Sequence, residues 1–164
     1  MRAVFRRSLG LYLPPLAAVA LAAGAAPAQM APVPASPRPT GNCTHPDRAT
    51  RPDCKEAIAF LGNLQEALKA NNPEAVAALI RYPLVVSVGS RRKIANRARL
   101  LAEYPSIFTA PVRAAILSAT PDDVWGNDRG FMIGRGVLWF DHFATNGKAV
   151  SASDFRLMTV NSVY

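Results

Sequence analysis

Ile58, Leu61, Leu64 and Leu68 recur at intervals of three and four residues, with Lys55, Glu66 and Lys69 on other faces. That spacing predicts an amphipathic helix with one face on a core. Asp53 stands just ahead of it and Glu56 follows three residues later, the spacing of a capping box, so the helix is expected to start at Asp53. Asn71-Asn72-Pro73 ends it, and Pro73 can open a shorter second helix running through Ala78 to about Arg81. Tyr82-Pro83 then breaks the chain. The run LVVSV that follows, residues 84–88, is β-branched and suited to a strand.

Gly89-Ser90 marks a turn, and Ile94, Ala98, Leu101 and Ala102 predict another helix over Ile94 to Tyr104. Pro105 to Leu117 continues as further helical turns, with Pro111 at the junction. Thr120-Pro121-Asp122-Asp123 reads as a loop or a short helix start. The remainder is strand-like: weakly over Asp123 to Trp125, then Phe131 to Ile133, Val137 to Phe140 and Phe155 to Val160. Gly134-Arg135-Gly136 precedes strand chemistry rather than a helix, so its glycines suit a hairpin turn rather than a phosphate-binding loop. Asn146-Gly147 is a second hairpin signal. Helices first and strands afterwards indicate an α+β fold.

The first 28 residues change the picture. Arg2, Arg6 and Arg7 precede an uncharged apolar run from Leu9 to Ala23, and Ala26-Pro27-Ala28 supplies small residues at a cleavage site. This is the three-part pattern of a secretory signal peptide. Arg6-Arg7-Ser8-Leu9 partly matches a twin-arginine signal, so the export route stays open. An uncut membrane anchor is the competing reading, but the run is short and interrupted by Pro14-Pro15. The expected product is an exported protein, periplasmic or secreted, with no stable membrane span after processing.

Formal charge is +8, from 19 basic and 11 acidic residues. Removing the three leader arginines leaves +5, mostly scattered, with one cluster at Arg91-Arg92-Lys93, Arg97 and Arg99. A solvated basic turn accounts for that cluster, and no aromatic-plus-basic module argues for nucleic acid. Residues 29–41, QMAPVPASPRPTG, have the composition of a flexible Pro-rich tether. Cys43 and Cys54 bracket a short polar loop, which in an exported protein suggests one disulfide. A metal site with His45 is the alternative, but it lacks a fourth ligand and close cysteine spacing. The organisation is therefore a signal peptide over 1–28, a tether and Cys loop over 29–52, and one folded domain over 53–164.

Three stretches carry a resemblance: FLGNLQEALKANNPEAVAALIRYPL at 60–84, IANRARLLAEYPSIFTAPVRAAIL at 94–117, and GFMIGRGVLWFD at 130–141 with FRLMTVN at 155–161. Together they resemble the nuclear transport factor 2-like (SnoaL-like) superfamily, from about Lys55 to the end. The resemblance implies a curved antiparallel sheet wrapped around the N-terminal helices, a cystatin-like cone whose interior is commonly a small-molecule pocket. It also implies that the exposed sheet can pair in a homodimer. Such cones serve isomerases, dehydratases, cyclases, transport adaptors and oligomerisation domains, so the fold alone assigns no activity.

The candidate chemistry is sparse. Asp141 and His142 are the weak catalytic candidates, either one a general base. Neighbouring strand residues point to opposite faces, so the two are not expected to act together. An isomerase-like set would have to come from Tyr82, Tyr104, Asp123, Asp141 and Asp154, and none matches a catalytic position. A dehydratase-like set would rest on His142 alone. Trp125, Phe131, Trp139 and Phe143 are candidate pocket-lining residues, with simple core packing as the alternative. No Ser-His-Asp set, metal quartet or nucleotide loop stands out, so no metal or cofactor is expected. The reading favours an exported domain that binds a small hydrophobic ligand or an envelope protein without catalysis. Its alternative is a small isomerase, dehydratase or cyclase on a hydrophobic substrate. A protein-inhibitor or immunity role in the envelope is a third idea.

Overall fold

The computed structural model describes residues 41–45, 47, 49–143 and 147–163. The expected signal peptide, most of the expected tether and Asn146 of the second hairpin signal lie outside the described residues. Helix α1 spans Cys54–Lys69; of its expected stripe Leu61, Leu64 and Leu68 are buried and Ile58 is only partly so, and Ala57, Phe60 and Ala67 complete the buried face. Helix α2, Pro73–Ala78, is capped by Asn72, whose side chain accepts the Ala75 N–H at 3.0 Å. It stops before Arg81 because Ile80 already belongs to a strand, β1, Ile80–Ser87.

Strand β2, Arg92–Ile94, lies where helix was expected to begin. Asn96 accepts the Arg99 N–H at 2.9 Å and so starts α3, Arg97–Ile107, three residues later than Ile94. Pro105 sits inside α3, and α4 follows as Ala110–Leu117. The strands β3 Trp125–Asn127, β4 Gly130–Ile133, β5 Leu138–His142 and β6 Phe155–Asn161 complete the domain. Gly134, Arg135 and Gly136 all have positive φ in the turn joining β4 to β5, which is the hairpin the sequence predicts.

All six strands form one sheet in the order β2-β1-β6-β5-β4-β3. The fold is α+β, but the sheet is not wholly antiparallel: β1 and β6 run parallel and every other neighbouring pair antiparallel. The physical reason is connectivity, since the helical stretch and a three-strand meander separate β1 from β6 and return the chain in the same direction. The sheet is open, with β2 and β3 at its edges.

Alternation divides the sheet into two faces. One face carries Leu84, Val86, Phe131, Ile133, Phe140, Leu157 and Val160 into a core shared with α1, α3 and α4. There Phe60 meets Phe140 and Phe155 at ring distances of 5.0 and 5.9 Å, and Phe131 meets Phe140 and Phe155 at 5.9 and 5.6 Å. Pairing register makes a single row on the opposite face: Lys93, Val85, Thr159, Trp139, Met132 and Trp125, one residue from each strand.

The chain ahead of α1 closes the β3 edge. Gly41 and Cys43 donate backbone N–H groups to the carbonyls of Asp122 and Val124. The buried Asn42 amide donates to the Gly126 carbonyl at 2.9 Å and accepts the Gly126 N–H at 2.8 Å, as a neighbouring strand would. Thr50 also donates to the Gly126 carbonyl, at 2.8 Å. A disulfide joins Cys43 to Cys54 and ties this segment to the start of α1.

Candidate functional site

Asp53 does not cap α1 with its side chain. Its carbonyl accepts the Ala57 N–H, but φ −94° and ψ 20° leave the extended region that a capping side chain requires. The carboxylate turns instead to Arg51. Arg51 Nε donates to Asp53 Oδ1 at 3.0 Å and Nη2 to Oδ2 at 2.6 Å, a two-point grip. Arg51 Nη2 also reaches Asp141 Oδ1 at 3.0 Å, and Nη1 donates to the Asn127 carbonyl at 3.2 Å.

The guanidinium lies over the Phe131 ring, 4.6 Å from its centroid. Gly126, opposite Phe131, makes this possible, because a Cβ there would meet the Phe131 ring at 2.7 Å. Burial raises the Asp53 pKa, but the Arg51 hydrogen bonds and charge outweigh it and hold the carboxyl below its usual range. Hydrogen bonding to Asp53 likewise raises Arg51 further above its ordinary value.

His142 completes the cluster, with Nε2 2.9 Å from Asp53 Oδ2. Asp141 and His142 therefore join one network, contrary to the expectation from strand alternation. The alternation rule weakens here because β5 ends. Asp141 Oδ1 folds back to accept the His142 N–H at 2.9 Å, and Arg51 reaches the carboxylate across the strand ends. One ligand atom from each of Asp53, Asp141 and His142 lies within 4.8 Å of the others, the donor types of a divalent-cation site. The Arg51 guanidinium already bonds both carboxylates and supplies the positive charge that a cation would bring. The cluster is a fastener between the segment before α1 and the end of β5.

The other candidates separate. Asp123 accepts from Thr120 and Asp154 from Ser151, each closing a short 3-10 turn, the second immediately ahead of β6. The Tyr82 hydroxyl donates to the Ala77 carbonyl at 3.3 Å, and the Tyr104 ring packs tilted against Phe108, centroids 4.9 Å apart. Burial raises both tyrosine pKa values. In the basic cluster, Arg92 and Arg99 share Glu103 and hold its carboxyl below the usual range, while Arg97 pairs with Glu74.

A groove of about 340 Å³ lies on the outer face of the sheet. Val85, Thr159 and Trp139, cross-strand neighbours, form its floor with Met158. Two irregularities shape it. The β5–β6 register slips between Trp139 and Phe140, leaving Met158 as an extra residue, and the β1–β6 register slips between Ile80 and Val85. Arg81, Tyr82 and Pro83 stand along one side, and Arg129 of the β3–β4 turn along another.

Of the four aromatics proposed from the sequence, Trp139 lines the groove and Phe131 is buried in the core. Trp125 continues the outer row beyond Met132. Phe143 lies beneath Arg81, whose Cζ is 3.9 Å from the ring centroid. Sequence reasoning missed Val85, Met158, Arg81 and Arg129. The β-branched run at 84–88 and the FRLMTVN strand held part of the signal, but which strands are neighbours was not legible. No protein-family model, curated protein or solved structure matches the chain.

Proposed function

We propose that this chain is an exported binding domain, of the nuclear transport factor 2-like type, that takes a small molecule with a flat apolar body in the outer-face groove. The groove carries the reading: it has an apolar floor and no carboxylate, imidazole or thiol among its lining residues. Its volume lies within the roughly 300–1,000 Å³ typical of small-molecule sites. The face toward α1 is instead filled by Phe60, Phe131, Phe140 and Phe155. The disulfide and the leader pattern support export, and no helix among the described residues is long and apolar enough to cross a membrane.

The alternative, an isomerase, dehydratase or cyclase with Asp141 or His142 as base, draws on the His142–Asp53 contact. Neither residue lines the groove, and Asp141 is bonded to Arg51.

Two fluorescent probes test the reading, neutral N-phenyl-1-naphthylamine and its anionic relative 1-anilinonaphthalene-8-sulfonate. At least one is expected to bind saturably at one per chain, and Trp139→Ala to weaken it about tenfold or more. Phe131→Ala is expected to cost about 3–5 kcal/mol of stability, as a core deletion does, and Trp139→Ala far less. Binding by neither probe, or binding indifferent to Trp139, overturns the proposal.

A further inference from the structure

We infer that the groove selects an amphipathic anion, a flat apolar body bearing a carboxylate, sulfonate or phosphate, through Arg81 and Arg129. This rests on the groove being the binding site and names the class of molecule that fits it.

Charge is the first observation. Arg81 and Arg129 both line the groove, and no acidic side chain lines it with them. Arg51, Arg92, Arg97 and Arg99 each hold an acidic partner. Among the described residues, Arg81 and Arg129 have none. Asp141, at the end of β5, is taken up by Arg51. Two guanidinium groups beside apolar side chains favour a ligand whose negative charge lies beside its hydrophobic part.

Placement is the second. Arg81 belongs to the irregular stretch of β1 and is held against the Phe143 ring, 3.9 Å from the centroid. A ring face engages the flat side of a guanidinium and leaves its in-plane N–H groups free to donate. Phe143 is thus a positioning residue. Arg129 is set by its turn: its N–H donates to Asn127 Oδ1 at 2.9 Å, and Gly130 follows with φ +115°. The arginines come from different elements and line the same groove as Trp139, whose ring offers the apolar body a face to stack on.

The test compares the two probes, which share their ring system and differ in the sulfonate. The wild-type chain is expected to bind the sulfonate about tenfold more tightly than the neutral amine, with the preference shrinking as NaCl rises. Arg81→Gln and Arg129→Gln are each expected to reduce the preference about threefold or more, the sulfonate losing more affinity than the neutral amine. Arg129→Lys is expected to retain part of it. Phe143→Leu is expected to weaken the sulfonate more than the amine. Equal affinities in the wild type, or a preference that survives both glutamine variants, overturn the inference and leave the binding reading standing. Loss of probe binding as protein concentration rises, with a dimer appearing in sedimentation, also overturns it, because a second copy then covers the groove. Absence of Trp139-dependent binding by either probe overturns both.

Discussion

His142 Nε2 lies 2.9 Å from Asp53 Oδ2, so the last residue of β5 touches the residue that precedes α1. Arg51 binds the same Asp53 oxygen and carries the link on to Asp141. The end of the sheet and the start of the first helix are thereby one electrostatic unit, tied together a few residues from the disulfide.

Removing Arg51 leaves the buried Asp53 and the half-buried Asp141 facing each other without a cation. Arg51→Ala is expected to lower the unfolding free energy by about 2–3 kcal/mol. That is below the 3–5 or so of a fully buried pair, because Arg51 and Asp141 keep some contact with water. Arg51→Lys keeps the charge but not the two-point grip and should lie between. Urea denaturation of the three proteins at neutral pH measures both.

Acid should loosen the same unit. In the unfolded chain Asp53 ionises near 3.8, and in the folded chain lower, because Arg51 outweighs burial. Between those values the unfolded state binds more protons, so stability rises with pH. The contribution is full above the unfolded value and is lost as pH falls through the folded one. Urea midpoints from pH 6 to pH 2 should fall steeply below about pH 4. Asp53→Asn should start lower and fall less.

The disulfide should matter more for the β3 edge than for the helices. Closing a loop of this length contributes about 3 kcal/mol in the chain-entropy account. Reduction, or the Cys43→Ser, Cys54→Ser double variant, is expected to lower stability by about that amount. Amide exchange should then accelerate first at Gly126 and its neighbours, which the bridged segment covers. The native chain should be lighter than the reduced one by two hydrogens, and free thiols in it would falsify the bridge.

Two glycines should respond with opposite sign. A Cβ at Gly41 would overlap the Val124 carbonyl, so Gly41→Ala is expected to cost about 1–3 kcal/mol. Gly62 lies inside α1 with nothing within 4 Å of an added Cβ. Gly62→Ala should stabilise by about 0.5–1 kcal/mol through the unfolded chain's entropy. Thermal melts of both variants decide the signs.

Helix α1 was legible because Leu61, Leu64 and Leu68 repeat with the helical period and all are buried. The β4–β5 hairpin was legible because Gly134 and Gly136 mark where the strand chemistry reverses. Asp53 misled because its capping spacing competes with Arg51, two residues before it, and with His142, which only the fold brings near. Arg92-Lys93-Ile94 carries no strand signature of its own and becomes β2 only by pairing with Val86, Val85 and Leu84. The groove was illegible for a similar reason. Alternation shows that Val85, Trp139 and Thr159 share a phase within their own strands, but not that β1 and β5 flank β6.

The Asn42 amide, spent on both polar groups of Gly126, has a consequence for self-association. Fibrous growth by adding sheet to sheet needs each molecule to offer two open flanks. Here one flank is plugged by the chain's own amide and backbone, and the other ends in the three residues of β2, two of them cationic. Growth that reaches the plugged side has no ladder to continue.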